Sequence, residues 1–412
     1  MRCWCRLPSF DISFKPSAFF LLGGGGRFFV LSVSLSLTIV FHNSIDAMKY
    51  TTLAILLLVS TMLRGQADTA SRQKPELSFF GFVDVFYAYD NNQPGGSARQ
   101  PFLFNHNRHN EFNVNLALAR ISLDHPRYRA SVAVQTGTYP NDNYAAEPGL
   151  LKSIFEAYAG VALSDNRKLW LDVGVLPSHI GFESAISTEN PTLTRSLLAE
   201  NSPYFLTGAR LVYQPNDDWL FTALVANGWQ RIQRVEGNSL LSFGAQVNYS
   251  PGDALTINWS TFIGTDDPDA TRRLRYFNNL YGLIEASERL SLTVGFDVGA
   301  QQQSRGSSDY DTWLSPIVIG RLALTKQWAM TVRVEYYQDR EGVLTTVSNP
   351  DIAGGLQATG ISVNVDYAPA SMILCRLETR WLRSPQRQFI TPSGADDDNV
   401  VIAASIAVRF ER

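Results

Sequence analysis

SMILCRLETRWL (371–382) sorts its residues by parity: Ile373, Cys375, Leu377 and Trp381 fall on one face, Arg376, Glu378 and Arg380 on the other. A two-residue period is the mark of a strand, because successive side chains leave a pleated backbone on opposite sides. A small water-soluble barrel could not bury the charged set, since unpaired charges in a dry core are prohibitively costly. Those residues therefore face bulk water outside a dry core or line a wet lumen. The choice depends on what surrounds the strand.

The same alternation recurs from Leu77 onward, most cleanly in LSFGAQVNY (241–249), LSLTVGFDVG (290–299), WAMTVRVEYY (328–337) and GISVNVDY (360–367). About sixteen such segments can be counted, each near the 9–11 residues expected of a tilted membrane-spanning strand. Residues 111–124 change phase near Arg120, and 274–285 fits either register poorly. Between the strands, short turns such as HPR (125–127), SDNR (164–167), PGD (251–253) and PAS (369–371) alternate with long polar loops. The fold expected is all-β: a transmembrane antiparallel up-and-down barrel, short turns periplasmic and long loops extracellular. The polar faces then line a lumen, the inverse of a soluble barrel.

Three strands end in the same way, in LVYQP (211–215), VNYSP (247–251) and VDYAP (365–369). Tyr213, Tyr249 and Tyr367 fit an aromatic girdle at the bilayer interface, joined by Trp219, Trp328 and Trp381. The final strand, NVVIAASIAVRFER (399–412), carries Phe410 near its end and is expected to close the barrel against LSFFGFVDVFYAY (77–89).

The termini agree with export. MKYTTLAILLLVSTMLRGQA (48–67) has a Lys, a short apolar run and a small-x-small cleavage site, the layout of a signal peptide. Translation is expected to start at Met48, residues 1–47 being an extension from a start codon set too far upstream; 68–412 form one barrel domain. Removal of 1–67 leaves Cys375 alone, so no disulfide framework is available. A formal net charge of -3 gives no reason to expect nucleic acid.

No catalytic constellation emerges. His106-x-x-His109 has no suitably spaced third ligand, His125 and His179 lie in connections without a nucleophile motif, and TDDPD (265–269) and ADDDN (395–399) read as solvated loop tips. What remains is a mixed-charge wall. Parity turns Arg129, Arg210, Arg321, Arg333, Arg376, Arg380 and Arg409 inward, with Asp84, Glu156, Asp172, Asp297, Glu335, Asp366 and Glu378. Neither sign dominates, which predicts a weakly selective aqueous pore.

One connection breaks the pattern. PSHIGFESAISTENPTLTRSLLAENSPYF (177–205) joins the fifth and sixth strands, and long loops are commonly functional. Asn190 before Pro191 predicts a helix start, and Asn201-Ser202-Pro203 a stop. Leucines 193 and 197 would be wasted on a helix floating in water. The loop is therefore expected to fold into the barrel, rest its leucines on the wall and narrow the pore with Glu183, Glu189, Arg195 and Glu200.

From about Phe79 to the C-terminus the chain resembles the OmpL-like β-barrel porins of Gram-negative bacteria. The resemblance is carried by GFVDVFYAYD (81–90), RHNEFNVNLALA (108–119), GVLPSHIGFES (174–184), ENPTLTRSLLAENSPYFLTGARLVY (189–213) and NGW (227–229). It implies outer-membrane location and passive diffusion of small hydrophilic solutes, and supplies no binding residues. The expected partners are membrane lipid and lipopolysaccharide, the solutes, and the barrel-assembly machinery acting on the C-terminal strand, with a homotrimer left open and no cofactor. A sealed barrel serving as an adhesin or structural protein, and a barrel hydrolase, stand as alternatives.

Overall fold

The computed structural model describes residues 73–345, 347, 349 and 354–412. The extension and signal peptide expected at 1–47 and 48–67 lie outside the described residues.

Along the chain run β1 (Glu76–Asp90), β2 (Phe112–His125), β3 (Tyr128–Thr136), β4 (Ile154–Ala162), β5 (Leu169–Pro177) and β6 (Phe205–Tyr213). They are followed by β7 (Trp219–Ala226), β8 (Ser242–Tyr249), β9 (Leu255–Gly264), β10 (Arg275–Glu285), β11 (Leu290–Gln302) and β12 (Tyr310–Ala323). The series ends with β13 (Trp328–Asp339), β14 (Gln357–Ala370), β15 (Ile373–Arg383), a two-stranded loop hairpin β16 (Phe389–Thr391) and β17 (Gly394–Asp396), and β18 (Asp398–Glu411). All but the hairpin pair antiparallel with their sequence neighbours, and β18 pairs with both β15 and β1, closing a sixteen-stranded barrel. Closure leaves no strand edge unpaired, the condition for a sheet in hydrocarbon. One rim carries the short turns and the other the long connections; we call these the turn side and the loop side.

The outward face is apolar along every long strand. Val332 and Val334 on β13, Ile361 and Val363 on β14, and Ile402 and Ile406 on β18 are all exposed, while the residues between them are buried or line the interior. Trp219 stacks on Tyr249 with ring centroids 4.4 Å apart, and Trp328 on Tyr367 at 4.5 Å, on the turn-side rim. Tyr213 and Phe410 share that rim, whereas Trp381 lies outward near the loop-side end of β15. Pairing of this kind adds roughly 0.5–1.5 kcal/mol beyond area burial.

The change of phase expected near Arg120 sits earlier. The β1–β2 register shifts between Asp84 and Val85, so Asn115 is the bulged residue and its side chain accepts from the His106 amide at 2.9 Å. β10, whose sequence fits either register poorly, pairs without a break along Arg275–Glu285. Its inward face is aromatic because Phe277 packs against Trp229 from the loop after β7 and Trp313 from β12. A lumen wall that meets an inserted loop need not be polar.

The loop-side half of the interior is filled in this way. Tyr139 and Tyr144 from the loop after β3 pack on Phe82, Leu116, Leu118 and Phe205. Ile180 joins Leu206, Leu224, Phe262 and Trp313. The turn-side half keeps polar and charged residues. His106 and His109 are employed separately, the first against Asp84 at 2.8 Å and the second as acceptor for the Asp90 amide. The acidic run 265–269 is paired with the arginines that follow it, Asp267 with Arg273 at 2.8 Å and Asp269 with Arg272 at 2.5 Å.

Closure has a specific seam. Gly81 of β1 faces Phe410 of β18 across the ladder, and the Phe410 ring lies over the glycine so closely that a Cβ there would stand 2.1 Å from Phe410 Cζ. Gly81→Val should expel the ring and weaken the β1–β18 seam, at a cost of about 1–3 kcal/mol. The expected outcome is a lower transition temperature in heat-dependent gel mobility; an unshifted transition would show that the ring contributes nothing to closure.

Candidate pore constriction

Residues 178–204 leave β5, cross the interior and return to β6. The crossing is anchored at four places. At the first, Ser260 on β9 donates to the His179 carbonyl at 2.6 Å, the His179 ring meets the Thr261 carbonyl at 2.9 Å, and the Gly181 amide donates to Asn279 on β10 at 3.1 Å. Gly181 has a φ of 87°, a left-handed turn that glycine adopts without strain.

At the second anchor, Arg376 of β15 donates to three loop carbonyls, Ser187 and Asn190 at 2.7 Å and Thr192 at 3.0 Å, while pairing with Asp366 at 2.8 Å. At the third, Arg333 donates to the Thr194 carbonyl at 2.6 Å and Glu378 accepts from the Thr194 amide at 2.6 Å, beside a Leu193 amide bond to Asn364 at 3.1 Å. At the fourth, Glu335 accepts from the Leu197 amide at 2.7 Å, and Arg380 donates to the Arg195 carbonyl at 3.1 Å. The wall thus supplies the hydrogen bonds that a helix would have made within itself.

This explains a departure from expectation. No helix starts at Asn190; a short 3₁₀ turn covers Ser187–Glu189 and the α-helix α1 spans only Leu197–Glu200. Its cap is Ser196, whose hydroxyl accepts from the Ala199 amide at 3.1 Å. Asn190 instead ties the loop to itself through the Ser184 amide and carbonyl, at 2.7 and 2.8 Å. Local capping is worth about 1 kcal/mol, and several charge-assisted bonds from the wall outweigh it. Leu193 and Leu197 do not share a face either: the first packs among Phe86, Ala88, Val401 and Ala403, the second among Leu103, Tyr337, Leu356 and Leu382.

The named residues fall into distinct environments. Arg333, Glu335, Arg376, Glu378 and Arg380 are buried beneath the loop and grip it, the first, second, fourth and fifth pairing among themselves and Arg376 with Asp366. Asp297 is also buried and accepts from Asn279 at 2.5 Å. Arg129, Glu156, Asp172, Arg210 and Arg321 stand on the turn side of the loop. There Gly160 leaves the space in which Arg129 and Arg210 both reach Asp172, at 2.7 and 3.1 Å.

Within the loop, Glu183 accepts from the Ser196 amide and hydroxyl, and Arg195 lies over the Tyr204 ring and donates to the Glu183 carbonyl at 3.2 Å. Glu200 accepts from the Phe104 and Asn105 amides at 3.1 and 3.2 Å, fastening this loop to the one after β1. Burial pulls the Arg195 guanidinium down to about 10 and pushes the Glu200 carboxyl above its ordinary value, in each case against the attraction of the other. Desolvation exceeds Coulomb attraction here, as is common for buried pairs. Glu189 alone of the four loop residues is exposed.

Between the loop and the wall lies a cavity of about 450 Å³. Arg120, Phe155, Tyr281 and Leu283 line it from the barrel, Phe182, Glu183, Glu189, Arg195 and Tyr204 from the loop, and Tyr139 and Tyr144 from the loop after β3. Sequence reasoning missed Arg120, Tyr281 and the two tyrosines. The available signal was the pair of aromatics in an otherwise polar loop, at Tyr139 and Tyr144.

Arg376→Gln removes the donors to three loop carbonyls while leaving Asp366 its second partner, Arg321. Amide exchange at Leu193 and Thr194 should become at least about tenfold faster, because the backbone there is held from the wall. Unchanged exchange would mean that this arginine does not hold the loop.

Residues 76–410 match the family described as "putative beta-barrel porin-2, OmpL-like". No curated protein matches the chain. Among solved structures, the anion-selective porin from Comamonas acidovorans aligns with a TM-score of 0.57 at 9% identity, over 82% of this chain and 100% of its own. The outer-membrane channel DcaP of Acinetobacter baumannii aligns at 0.54 and 11% identity, over 84% and 99%. The trimer form of OmpT from Vibrio cholerae aligns at 0.54 and 9%, over 82% and 100%. At such identities these three share the fold, and the family match carries the assignment: the chain belongs to the OmpL-like β-barrel porin family.

Proposed function

We propose that this porin is a passive diffusion pore of the outer membrane for small hydrophilic solutes, with residues 178–204 as its constriction. The observation that carries the reading is the cavity between that loop and the wall, bordered by both charges and aromatic rings. A barrel sealed by its own loop would pack that space, and interiors tolerate few voids larger than a water. Solute then passes on one side of the loop, while the other side is fixed to β12–β15. The mixed charge of the turn-side lumen, Arg129, Arg210 and Arg321 with Asp172, Glu156 and Asp366, suits a hydrated path. Exposed apolar residues around the outside, with aromatic pairs at the turn-side rim, suit lipid and lipopolysaccharide contact. Export through a signal peptide at 48–67 and barrel-assembly through the C-terminal strand belong to the same reading. The assembly proposed is a homotrimer, the form named for one V. cholerae neighbour.

Purified barrel reconstituted in planar bilayers should give stepwise conductance of fixed size. Deletion of 186–200 should raise the step, because it removes the pinned part of the constriction and leaves the strands intact. A folded barrel that is electrically silent would favour a structural or adhesive role, and an unchanged step after deletion would refute the constriction. Sedimentation in detergent tests the trimer, a monomer mass being the adverse result.

A further inference from the structure

We propose that the cavity beside the loop is a subsite for a neutral ring-form sugar, which lies against the aromatic rings of Phe182 and Tyr281. The inference rests on the porin reading above and names its class of solute.

The rings are brought to the cavity by particular devices. Inward and outward positions alternate along a strand, so Phe155, next to the inward Glu156, should face lipid. It does not, because the β3–β4 register shifts: Ala133 pairs with Glu156 and Val134 with Ile154, which leaves Phe155 as the extra residue. A bulge of this kind re-aims a side chain, and Phe155 lines the cavity from β4. Phe182, on the loop, is seated by a glycine of β11. A Cβ on Gly295 would stand 2.8 Å from Phe182 Cε1, so only the bare backbone admits the ring. Tyr281 comes from the inward face of β10 and meets Phe182 with centroids 5.5 Å apart and planes inclined at 63°. The two rings form a notch. The Tyr281 hydroxyl has no hydrogen-bond partner among the described residues.

The charges around this notch favour no ion. The lining includes Arg120 and Arg195, and against them Glu183 and Glu189. Arg195 and Glu183 are buried and engaged within the loop, the first with the Glu183 and Ala199 carbonyls, the second with Ser196. The carboxylates behind the lining are also buried and partnered, Glu156 by Arg120 at 2.9 Å and Glu200 by the Phe104 and Asn105 amides. The charged side chains that reach the cavity are thus Arg120, 25% exposed, and the exposed Glu189, one of each sign. Ser178 and Ser184 add hydroxyls that accept from the Ile180 and Ile186 amides and keep their own protons to donate.

A sugar suits both kinds of surface. The C–H groups on the face of its ring are slightly positive and lie against the negative face of an aromatic ring. Its hydroxyls donate and accept, which engages a guanidinium, a carboxylate and serines without requiring a net charge. The volume of about 450 Å³ lies within the roughly 300–1,000 Å³ of small-ligand sites.

The test is block of the ion current by sugar, with the full barrel in a planar bilayer. Maltose should lower the conductance saturably and by more than it lowers the conductivity of the bulk solution. Sorbitol, which carries its hydroxyls on an open chain without a ring face, should lower it only in step with the bulk. Phe182→Leu and Tyr281→Leu fill the space without a flat face, and each should raise the half-blocking concentration of maltose about threefold or more. Tyr281→Phe keeps the ring and should keep most of the block. Heat-dependent gel mobility establishes that each variant is folded. A conducting barrel that maltose does not block, that sorbitol blocks equally, or that zwitterionic phenylalanine blocks at lower concentration overturns the inference while the pore stands. Unchanged block in the folded leucine variants overturns the assignment to these rings. A silent barrel removes the pore and the inference together.

Discussion

A strand in hydrocarbon has no water to satisfy its amides and carbonyls, so every one of them must find a partner in the neighbouring strand. The rest of this molecule follows from that requirement. It forces the sheet to close through β18 and β1, and closure creates two faces with opposite demands. The outward face must be apolar at every second residue. The inward face is released from that demand and is free to hold arginines and acids, because it meets water and inserted loops rather than lipid. Parity, applied over sixteen strands, separates the two chemistries.

Inside, the same economy of partners governs the loop. Buried ion pairs such as Arg333 with Glu378 cost desolvation and often return little net stability. Here their surplus donors and acceptors are directed at the main chain of residues 187–197, so the charges also serve as hydrogen-bonding partners that an irregular backbone lacks. The network specifies one path for the loop. A purely apolar wall would have left eight backbone groups of this stretch to find partners elsewhere, and the loop would have had many nearly equivalent positions.

The strands were legible in the sequence because lipid enforces a simple rule on alternate residues, and their number, order and closure followed. Legibility failed where a local signal competed with a distant partner. Asn190-Pro191 is a sound helix start in isolation, yet Arg376 and Arg333 claim the carbonyls that the helix would need. β10 looked ambiguous because Phe277 packs on Trp229, which is 48 positions earlier in the sequence. The Asn115 bulge displaced the apparent phase change toward Arg120. For the lumen, parity revealed which charges point inward but not which remain uncovered: that depends on side-chain reach and on Gly160, whose importance is invisible without its neighbours.

The way the loop is held has an evolutionary consequence. Most of the wall's grip falls on main-chain carbonyls and amides, which every residue type except proline supplies alike. Residues such as Glu189, exposed and bordering the cavity beside the loop, can therefore be exchanged without loosening the anchor. Selection could reshape the lining of that cavity by single replacements along a strap whose course is set by another part of the molecule.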